Sequence, residues 1–333
     1  MRPPAFWGAS PDAARARALA TLGAVYGAIA ARRLMRTGAA AGAPTFVVGG
    51  FTLGGSGKTP TALALASMLS AKGRRPAFVS RGHGGTVARG ASRRVDPDRD
   101  DARAVGDEPL LLARSAPAYV GADRLASARL AIADGADALV LDDGFHGAHL
   151  ASDLALLVVD SGFGIGNGLC PPAGPMRAPL DAQLARAHAL VLVGDDAPGE
   201  AVAERATTHG LPVWRARLIP DAAAAASLSG RRVVAFAGIG RPEKFWASLR
   251  AVGAEIVETE AFADHHVFSA VELDNLRKTA AHAGASLVTT QKDAARLGRA
   301  GLGIATLPVA LAFDDPSGVD AALGRALAST STI

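Results

Sequence analysis

The sequence predicts an α/β protein in which a parallel sheet is covered by helices on both faces, followed by a smaller α/β unit. Apolar, β-rich runs alternate with helical patterns through the first two thirds of the chain, and this alternation is typical of parallel sheets. The first run, near residue 45, passes through a glycine-rich turn directly into a helical stretch. A shorter β/α series follows an alanine-rich segment near residue 222. Together these observations indicate two domains.

The individual elements follow from the length and periodicity of the apolar runs. In the first series we predict strands at 45–48, 77–80, 138–141, 154–159, 189–193 and 213–218, and helices at 58–71, 108–115, 124–133 and 199–208. In the second series we predict strands at 233–237, 255–260 and 287–289, and helices at 242–252 and 270–283. The predicted segments are an N-terminal helix at 1–36, a first domain at 37–221 and a smaller α/β domain at 222–333 that closes over the site.

Composition limits the classes of protein that the chain can represent. Its 333 residues fit two domains of ordinary size, and 49% hydrophobic residues suffice for a buried core. The single cysteine, Cys170, excludes an internal disulfide framework, and the N-terminus has no secretory signal pattern. A formal charge of +4 and a pI near 9.6 permit an anionic partner such as a nucleotide or a phospholipid surface. This mild basicity does not require nucleic acid.

The N-terminal segment combines a short apolar stretch with basic ends. Residues 18–31 are apolar, and five arginines lie in the flanking sequence. The stretch is shorter than the roughly 20 residues needed to span a bilayer. An apolar helix with basic ends can lie in a membrane interface, but an ordinary helix packed on the domain gives the same pattern. The residues alone leave both interpretations open.

The glycine-rich turn has the layout of a phosphate-binding P-loop. A strand leads into Thr52-Leu53-Gly54-Gly55-Ser56-Gly57-Lys58-Thr59, and a helix follows. Glycines let backbone N–H groups converge on phosphate oxygens, and the helix directs its positive end at the anion. Lys58 suits the β- and γ-phosphates and the Thr59 hydroxyl suits Mg²⁺. Thr52 stands where the usual pattern has glycine, so the motif is a variant. The first domain is therefore predicted to be P-loop NTPase-like.

An acidic pair follows a later strand. Residues 138–141 form an apolar run that ends in Asp142 and Asp143. In a P-loop fold, an aspartate at such a strand tip orders Mg²⁺ beside the P-loop threonine. A solvated acidic turn is the alternative interpretation.

Other candidate residues lie in loops and at a helix start. Arg81 lies in a glycine-rich segment after a strand, which suits either a loop that meets a phosphate group or a plain flexible turn. Asp107 opens a helical stretch, where it either caps the helix or acts as a general base for a hydroxyl. His265 lies in an Asp-His-His sequence of the second domain, which suits acid–base or metal chemistry but is also common in surface loops.

The sequence alone also leaves a second functional class open. Thr290-Gln291-Lys292-Asp293 follows a strand and faintly resembles the guanine-specifying tetrapeptide of GTPases. A GTPase switch or metal-insertion chaperone is therefore the alternative to a kinase. Against it, the chain lacks the Asp-x-x-Gly switch motif at the acidic strand tip and a His/Cys cluster for loading a metal. Nucleotide preference separates the two, since the kinase hypothesis expects adenine.

Taken together, the motifs resemble the tetraacyldisaccharide 4′-kinase family of lipid A biosynthesis, from the N-terminus to about residue 297. The matching segments are, in chain order, Phe6-Trp7, Gly54–Pro60, Ser80–Gly85, Gly106–Pro109, Asp142–Phe145, Pro172–Arg177, Ala235–Pro242, Phe262–His266 and Thr289–Asp293. Motifs that are modest one at a time are highly specific in this order.

The resemblance implies an ATP- and Mg²⁺-dependent kinase whose acceptor is the 4′-hydroxyl of a lipid-linked glucosamine disaccharide 1-phosphate. It implies a location at the cytoplasmic face of a Gram-negative inner membrane, peripheral or monotopic through the N-terminal helix, in contact with an anionic membrane surface. Neither a nucleic acid nor a protein partner is expected.

The resemblance also implies roles for individual residues. Asp107 and His265 would act together as the general base for the acceptor hydroxyl, with Lys58 as the third catalytic residue. Thr52 to Thr59 would bind the nucleotide, and Thr59 with Asp142 would bind the metal. Further candidates are Arg81, Asp143, His146 and Arg177.

The chain departs from the family pattern at several of these places. Gly50 replaces Asn, His83 replaces Tyr, His146-Gly147 replaces Gln-His and Ala178 replaces Glu. The nucleotide residues are intact. A kinase paralogue with an altered acceptor is therefore the second kinase interpretation.

Overall fold

The computed structural model describes residues 4–147 and 150–330. His149, which could compensate for the altered His146-Gly147 pair, lies outside these residues. The described strands are, in chain order, β1 (Thr45–Gly50), β2 (Pro76–Ser80), β3 (Arg93–Arg94), β4 (Ala118–Val120), β5 (Ala138–Leu141), β6 (Leu154–Asp160), β7 (Ala189–Val193), β8 (Val213–Pro220), β9 (Arg232–Ala237), β10 (Glu255–Ala261), β11 (Ser286–Thr289), β12 (Ala305–Thr306) and β13 (Val309–Phe313).

The helices connect these strands and cover their faces. The described α-helices are α1 (Ala14–Leu34), α2 (Lys58–Ala71), α3 (Ala102–Val105), α4 (Asp107–Ala113), α5 (Arg124–Ala133), α6 (Leu180–Leu184), α7 (Ala197–Thr208), α8 (Ala222–Leu228), α9 (Pro242–Ala251), α10 (Ala270–His282), α11 (Gln291–Leu297) and α12 (Ser317–Thr330).

The large sheet confirms the predicted α/β fold. Its strand order is β13-β8-β7-β6-β1-β5-β2-β4-β3, and only the two outermost pairings, β13 with β8 and β3 with β4, are antiparallel. The central strands are buried on both faces because their side chains alternate between two apolar layers. Phe46 and Val48 face a layer that includes α2, α4 and α12, whereas Val47 faces one that includes α5 and α7.

The second sheet has the order β10-β9-β11-β12, with all pairings parallel. Helices α8 and α9 pack on one face and α10 on the other. We call this sheet and α8–α11 the small lobe, and the nine-stranded sheet with its helices the large lobe. The predicted division at residue 222 stays a prediction. The sequence pattern did not indicate that β13 and α12 return to the large lobe after β12.

Helix α1 packs on the large lobe through small residues and turns larger apolar side chains outward. Gly23 and Gly27 are buried, and a Cβ atom on Gly23 would lie 2.7 Å from the Cys170 carbonyl oxygen. The large apolar side chains that α1 exposes are Leu22, Val25, Tyr26 and Ile29. A helix of a globular protein usually buries such residues. Among the described helices, none is long and apolar enough to cross a membrane.

The topology brings loops from both lobes to one region. The loops after β1, β2 and β5 leave the carboxyl ends of neighbouring parallel strands, so they lie along one edge of the large sheet. In open α/β sheets, ligands bind at this edge. The loops after β9 and β10 contribute small-lobe residues to the same region, as the contacts below show.

Candidate active site

The turn after β1 forms a closed loop around Lys58. Gly54 and Gly57 have φ values of 107° and 93°, which favour glycine. Lys58 Nζ donates to the Gly54 carbonyl oxygen at 2.9 Å. Burial lowers the pKa of Lys58, although the charge of Asp143 partly opposes this. A buried cation that has lost much of its hydration makes the loop a strong site for an anion.

Two neighbouring segments hold the P-loop in place. Thr52 bridges to Met176, and Leu53 N donates to the Pro175 carbonyl oxygen at 2.9 Å. A Cβ atom on Gly50 would lie 2.4 Å from Ser56 Oγ. The glycine that departs from the family pattern therefore lets the loop pack directly on the end of β1.

Asp142 and Thr59 form a buried pair beside the loop. Thr59 Oγ1 donates to Asp142 Oδ2 at 2.7 Å. Burial raises the pKa of Asp142 to about 7, and the charge of Glu108 adds to this effect. Among the described residues, Asp142 Oδ1 and Ser56 Oγ have no hydrogen-bond partner although both are buried. A buried carboxylate oxygen without a partner is costly unless a cation or water meets it.

The oxygens of Asp142 and Thr59 fit Mg²⁺. The part of the chain that the structure describes contains no cluster of three or more His, Cys, Asp or Glu side chains that would hold a metal by itself. Magnesium, however, usually takes one or two carboxylates together with substrate phosphates and water. Asp142 and the Thr59 hydroxyl provide such a partial site at the end of the P-loop.

Asp143 faces a different set of partners from those of Asp142. It has a φ of 54°, a strained conformation that is often kept at functional sites. Arg177 Nη2 donates to Asp143 Oδ2 at 2.9 Å, and Arg177 Nε donates to the Thr52 carbonyl oxygen at 3.2 Å. Burial would raise the pKa of Asp143, but the charges of Lys58 and Arg177 hold it well below the usual range. Arg177 thus joins the acidic turn to the P-loop.

Asp107 and His265 meet across the two lobes. His265 Nδ1 lies 3.1 Å from Asp107 Oδ2, and since the carboxylate can only accept, Nδ1 carries the proton. Asp107 is the first residue of α4, so it is not the N-cap, and its Oδ1 accepts the Glu108 N–H at 2.9 Å. His265 lies in the loop after β10 with a φ of 57°. The pair is asymmetric, because the Asp107 side chain is 5% exposed and that of His265 is 42% exposed.

The surroundings of this pair shift the pKa values of its two members in opposite directions. Burial would raise the pKa of Asp107, but the hydrogen bond with His265 and the charge of Arg296 bring it far below its ordinary value. The hydrogen bond to Asp107 raises the pKa of His265 above 6.5. Asp107 therefore stays ionised and His265 gains affinity for a proton.

Two basic residues of α11 complete this network, and their roles were not predicted from the sequence. Arg296 Nε donates to Asp107 Oδ2 at 2.8 Å, and its Nη1 donates to Asp293 Oδ1 at 2.6 Å. Lys292 Nζ donates to Glu108 Oε1 at 2.7 Å. The signal was present in the Thr289–Asp293 motif, but nothing local identifies Glu108, 184 positions away, as the partner.

The resemblance of this motif to a guanine-specifying sequence was misleading. Asp293 is fully buried, and both of its carboxylate oxygens accept the Gly238 N–H at 3.1 Å. Its Oδ2 also accepts from the Thr290 hydroxyl at 2.6 Å. A side chain engaged in this way inside the small lobe is not available to a base, so the GTPase alternative loses its main support.

The two remaining candidates, His146 and Arg81, make few polar contacts with the described residues. His146 Nε2 lies 2.8 Å from Gln183 Oε1, and burial lowers the pKa of His146 to about 4. Arg81 is exposed and makes no hydrogen bond or ion pair with a described residue. The ring of His83, in the same segment, lies 6.1 Å from that of His265 in an edge-to-face arrangement. The structure thus places His83 beside the Asp107–His265 pair, which the sequence did not indicate.

The P-loop, the acidic pair Asp142–Asp143 and the Asp107–His265 pair form one site. The charge of Lys292 acts on both Asp107 and Asp142, and that of Glu108 acts on both Asp142 and Lys58. A P-loop, a buried carboxylate beside it and a half-exposed imidazole held by a second carboxylate define a kinase of the P-loop class.

Comparison with known proteins gives the family. The model of the family described as LpxK: Tetraacyldisaccharide-1-P 4′-kinase matches residues 15–328, and the chain belongs to this family. A tetraacyldisaccharide 4′-kinase of Methylobacterium radiotolerans is 55% identical over 316 residues, which cover 95% of each chain. One from Methylobacterium sp. strain 4-46 is 54% identical over 326 residues, covering 98% of this chain and 96% of the relative.

A solved structure confirms the fold. The crystal structure of an "apo" form of LpxK from Aquifex aeolicus in complex with ATP superposes with a TM-score of 0.72 and 23% sequence identity. The match covers 94% of this chain and 99% of the solved chain. Both lobes therefore belong to the shared architecture.

Proposed function

We propose that this chain transfers the γ-phosphoryl group of ATP to the 4′-hydroxyl of a lipid-linked glucosamine disaccharide 1-phosphate. Family membership and the names of the relatives support the acceptor, and the ATP bound to the Aquifex aeolicus protein supports the donor. The observation that carries the proposal is the Asp107–His265 pair, which adds a proton acceptor to a nucleotide site. Nucleotide binding alone would not need such a pair.

The P-loop would hold the triphosphate. In the structure, Lys58 Nζ donates to the Gly54 carbonyl oxygen. A phosphate oxygen is a stronger acceptor than this carbonyl because it carries a negative charge. The N–H groups of the loop and the start of α2 add further donors around the same anion. Phosphoryl transfer depends mainly on such positioning and charge stabilisation.

Thr59 and Asp142 would hold Mg²⁺ with the phosphates. The unpartnered Asp142 Oδ1 is the specific support for this assignment. When bound, the ion would neutralise charge on the phosphate oxygens. Arg177 and Asp143 would keep the adjoining turn fixed, since Arg177 bonds both to Asp143 and to the P-loop backbone.

His265 Nε2 would take the proton of the sugar hydroxyl. Nδ1 is occupied by Asp107, and Nε2 is 3.9 Å from the nearest Asp264 oxygen, too far for a hydrogen bond. Asp107 is a poor proton acceptor in its own right because its pKa is strongly lowered and its two oxygens already accept three donors. It orients the imidazole and stabilises the imidazolium that forms, as carboxylates do beside catalytic histidines.

The outward face of α1 would dock on the membrane that carries the lipid acceptor. Large apolar side chains face solvent along this helix, and Arg32 and Arg33 lie in its last turn. This combination suits an anionic bilayer interface. We therefore place the protein at the cytoplasmic face of a Gram-negative inner membrane, peripheral or monotopic through α1.

The test is a phosphorylation assay with ATP, Mg²⁺ and the lipid disaccharide 1-phosphate in detergent micelles. The expected product carries a second phosphate at the 4′ position, located by NMR or by mass spectrometry of fragments. A protein that binds ATP but leaves this disaccharide unmodified would overturn the proposed acceptor. Phosphate transfer to a different hydroxyl would instead favour the paralogue with an altered acceptor.

A further inference from the structure

A loop of the small lobe lies directly against the P-loop. The residues that follow β9 lead through Gly240 into α9, and a Cβ atom on Gly240 would lie 3.7 Å from the Gly55 backbone nitrogen. Gly55 is central to the P-loop, whose N–H groups converge on the phosphates of a bound nucleotide. The Ala235–Pro242 motif, which has no role in the function proposed above, therefore borders the phosphate site.

Arg241 is the charged residue of this motif at the contact. One guanidinium nitrogen, Nη2, donates to the Gly55 carbonyl oxygen, and Nη1 donates to Asp160 Oδ1 at 2.8 Å. The guanidinium carbon lies 5.1 Å from the centre of the Phe163 ring. Arg241 thus reaches from the small lobe to the P-loop and is held there from two sides.

Asp160 gives Arg241 a fixed anchor. It is the last residue of β6, its side chain is 8% exposed, and it also accepts a hydrogen bond from Lys244 Nζ of α9. A nearly buried carboxylate that pairs with two small-lobe cations holds α9 and its leading loop against the large sheet. Of the two cations, only Arg241 contacts the P-loop.

The contact with Gly55 is of a kind that a nucleotide can replace. A peptide carbonyl is a neutral acceptor, whereas the oxygens of a triphosphate are charged and form hydrogen bonds roughly twice as strong. The planar guanidinium has five N–H donors, so it can keep one hydrogen bond to Asp160 while others turn to a phosphate oxygen.

We propose that Arg241 is a catalytic arginine of the phosphoryl transfer, supplied by the small lobe and anchored by Asp160. The inference rests on the proposed function. During the reaction, the bond between the γ-phosphorus and the β–γ bridging oxygen breaks and a bond to the 4′-oxygen forms. The hydroxyl proton passes to His265 Nε2, and ADP leaves with the electron pair of the broken bond. Arg241 stays protonated and stabilises the charge on the transferred group, as arginine fingers do in other P-loop enzymes.

This role also explains why transfer would require both lobes. The proton acceptor His265 and the arginine both come from loops of the small lobe, after β10 and β9, while the P-loop belongs to the large lobe. A lobe that carries both groups assembles the reactive site only where it contacts the P-loop, which limits wasteful hydrolysis of ATP.

The experiment compares Arg241→Ala and Arg241→Lys with a matched control, Lys244→Ala. Lys244 shares the Asp160 anchor but does not contact the P-loop, so its loss tests the tether alone. Two quantities are measured for the full-length protein: the kcat for phosphorylation of the disaccharide, and the affinity for ADP with and without aluminium fluoride. The ADP–fluoroaluminate complex mimics the transferred phosphoryl group and needs no turnover.

We expect Arg241→Ala to lower kcat by about 10³-fold or more, with ADP affinity within about threefold of wild type. The gain in ADP affinity that fluoroaluminate gives to the wild type should be lost in this variant and kept in Lys244→Ala. Arg241→Lys should restore only part of it, because an ammonium group cannot keep the forked geometry.

An unchanged kcat and an unchanged fluoroaluminate effect in Arg241→Ala would overturn the inference. Equal losses in Arg241→Ala and Lys244→Ala would also overturn it and reduce Arg241 to a tether between the lobes. If the wild type leaves the disaccharide unmodified, yet its fluoroaluminate effect still depends on Arg241, the proposed acceptor is wrong and the role of Arg241 stands.

Discussion

His265 Nδ1 donates a hydrogen bond of 3.1 Å to Asp107 Oδ2, although the two residues are 158 positions apart and belong to different lobes. Arg296 reaches the same carboxylate oxygen from α11 at 2.8 Å. The histidine is half exposed while the aspartate is buried. This arrangement leaves one imidazole nitrogen accessible and fixes the other, which is the geometry of a proton acceptor rather than of a surface loop.

The pH dependence of the reaction should report His265. The hydrogen bond to Asp107 raises the pKa of His265 above 6.5, and only the neutral imidazole can take a proton. At saturating Mg²⁺, kcat should therefore increase as the pH rises through the pKa of His265 and level off above it. Asp107→Asn should move the inflection to lower pH, because an amide stabilises the imidazolium less than a carboxylate does.

Steady-state rates from pH 5.5 to 9 measure this profile. His266→Asn is the matched control, since that neighbouring histidine pairs with Glu272 at 3.0 Å and has no part in the proposed chemistry. A wild-type profile without an inflection in this range would favour Asp107 as the proton acceptor, because its pKa lies far below it.

Ionised Asp142 should lower the stability of the metal-free protein, because its carboxylate is buried where Mg²⁺ would bind. Burial raises the pKa of its carboxyl group from 3.8 to about 7, so folding favours the protonated form. That contribution is fully present below pH 3.8, is lost progressively up to about pH 7 and stays lost above it. In metal-free buffer, Asp142→Asn should therefore have a higher melting temperature than wild type at pH 8, by several degrees.

Thermal melts at pH 4, 6 and 8, with and without Mg²⁺ and ADP, check this expectation. Mg²⁺ should stabilise the wild type more strongly above pH 7 than below it, and should leave Asp142→Asn unaffected. A variant that melts below the wild type at pH 8 without metal would contradict the assignment of a costly buried carboxylate.

The central strands and the P-loop could be predicted from the sequence because their signals are local. Strands β1, β5 and β6 are continuous apolar runs, as burial on both faces requires, and the P-loop glycines stand next to the lysine that they surround. Strands β3 and β12 have only two residues each, too few for a periodic signal. Strand β13 is a half-exposed edge strand, so its pattern does not distinguish it from a loop.

The candidate site was predictable only in part. The proximity of Asp107 and His265 was an expectation from family resemblance, and no spacing in the chain encodes it. The partners of Glu108 and Asp107 on α11 depend on how the small lobe packs on α4. The contact between Arg241 and Gly55 spans 186 positions and follows from the three-dimensional arrangement of two loops. Long-range charge pairs of this kind leave no periodic trace in the sequence.

Lys58→Ala should lower kcat by several orders of magnitude, because the lysine is the principal P-loop cation beside the phosphates. The loop itself should stay folded, since its shape depends on glycine conformations and on hydrogen bonds to the segment that contains Pro175. Activity assays together with circular dichroism measure both properties. Lys278→Ala, on the exposed face of α10, is the control, and near-normal activity in Lys58→Ala would refute the P-loop assignment.

The outward face of α1 should carry the affinity for membranes. Leu22 and Ile29 are 60% and 49% exposed, so replacing both by aspartate should leave the fold intact. Each side chain gives roughly 1.5–3 kcal/mol when fully buried in an apolar phase, so the double variant should bind anionic phospholipid vesicles at least tenfold more weakly. Co-sedimentation measures this affinity.

Leu302→Asp provides the control for this experiment, because Leu302 is 79% exposed in the small lobe, away from α1. Equal co-sedimentation of the Leu22→Asp/Ile29→Asp variant and the wild type would show that the membrane contact lies elsewhere. Deletion of residues 1–36 should likewise release the protein from vesicles if the remaining core stays folded.

The proposed proton transfer is tested most directly by a double-mutant cycle on Asp107 and His265, with kcat for phosphorylation of the disaccharide 1-phosphate as the measured quantity. Each single alanine variant should lose ~10²–10⁴-fold in kcat while ATP affinity hardly changes. Because the two side chains act as one unit, the double variant should be little worse than the more damaged single variant. Penalties that multiply, or a normal rate in either single variant, would contradict a shared role in proton transfer.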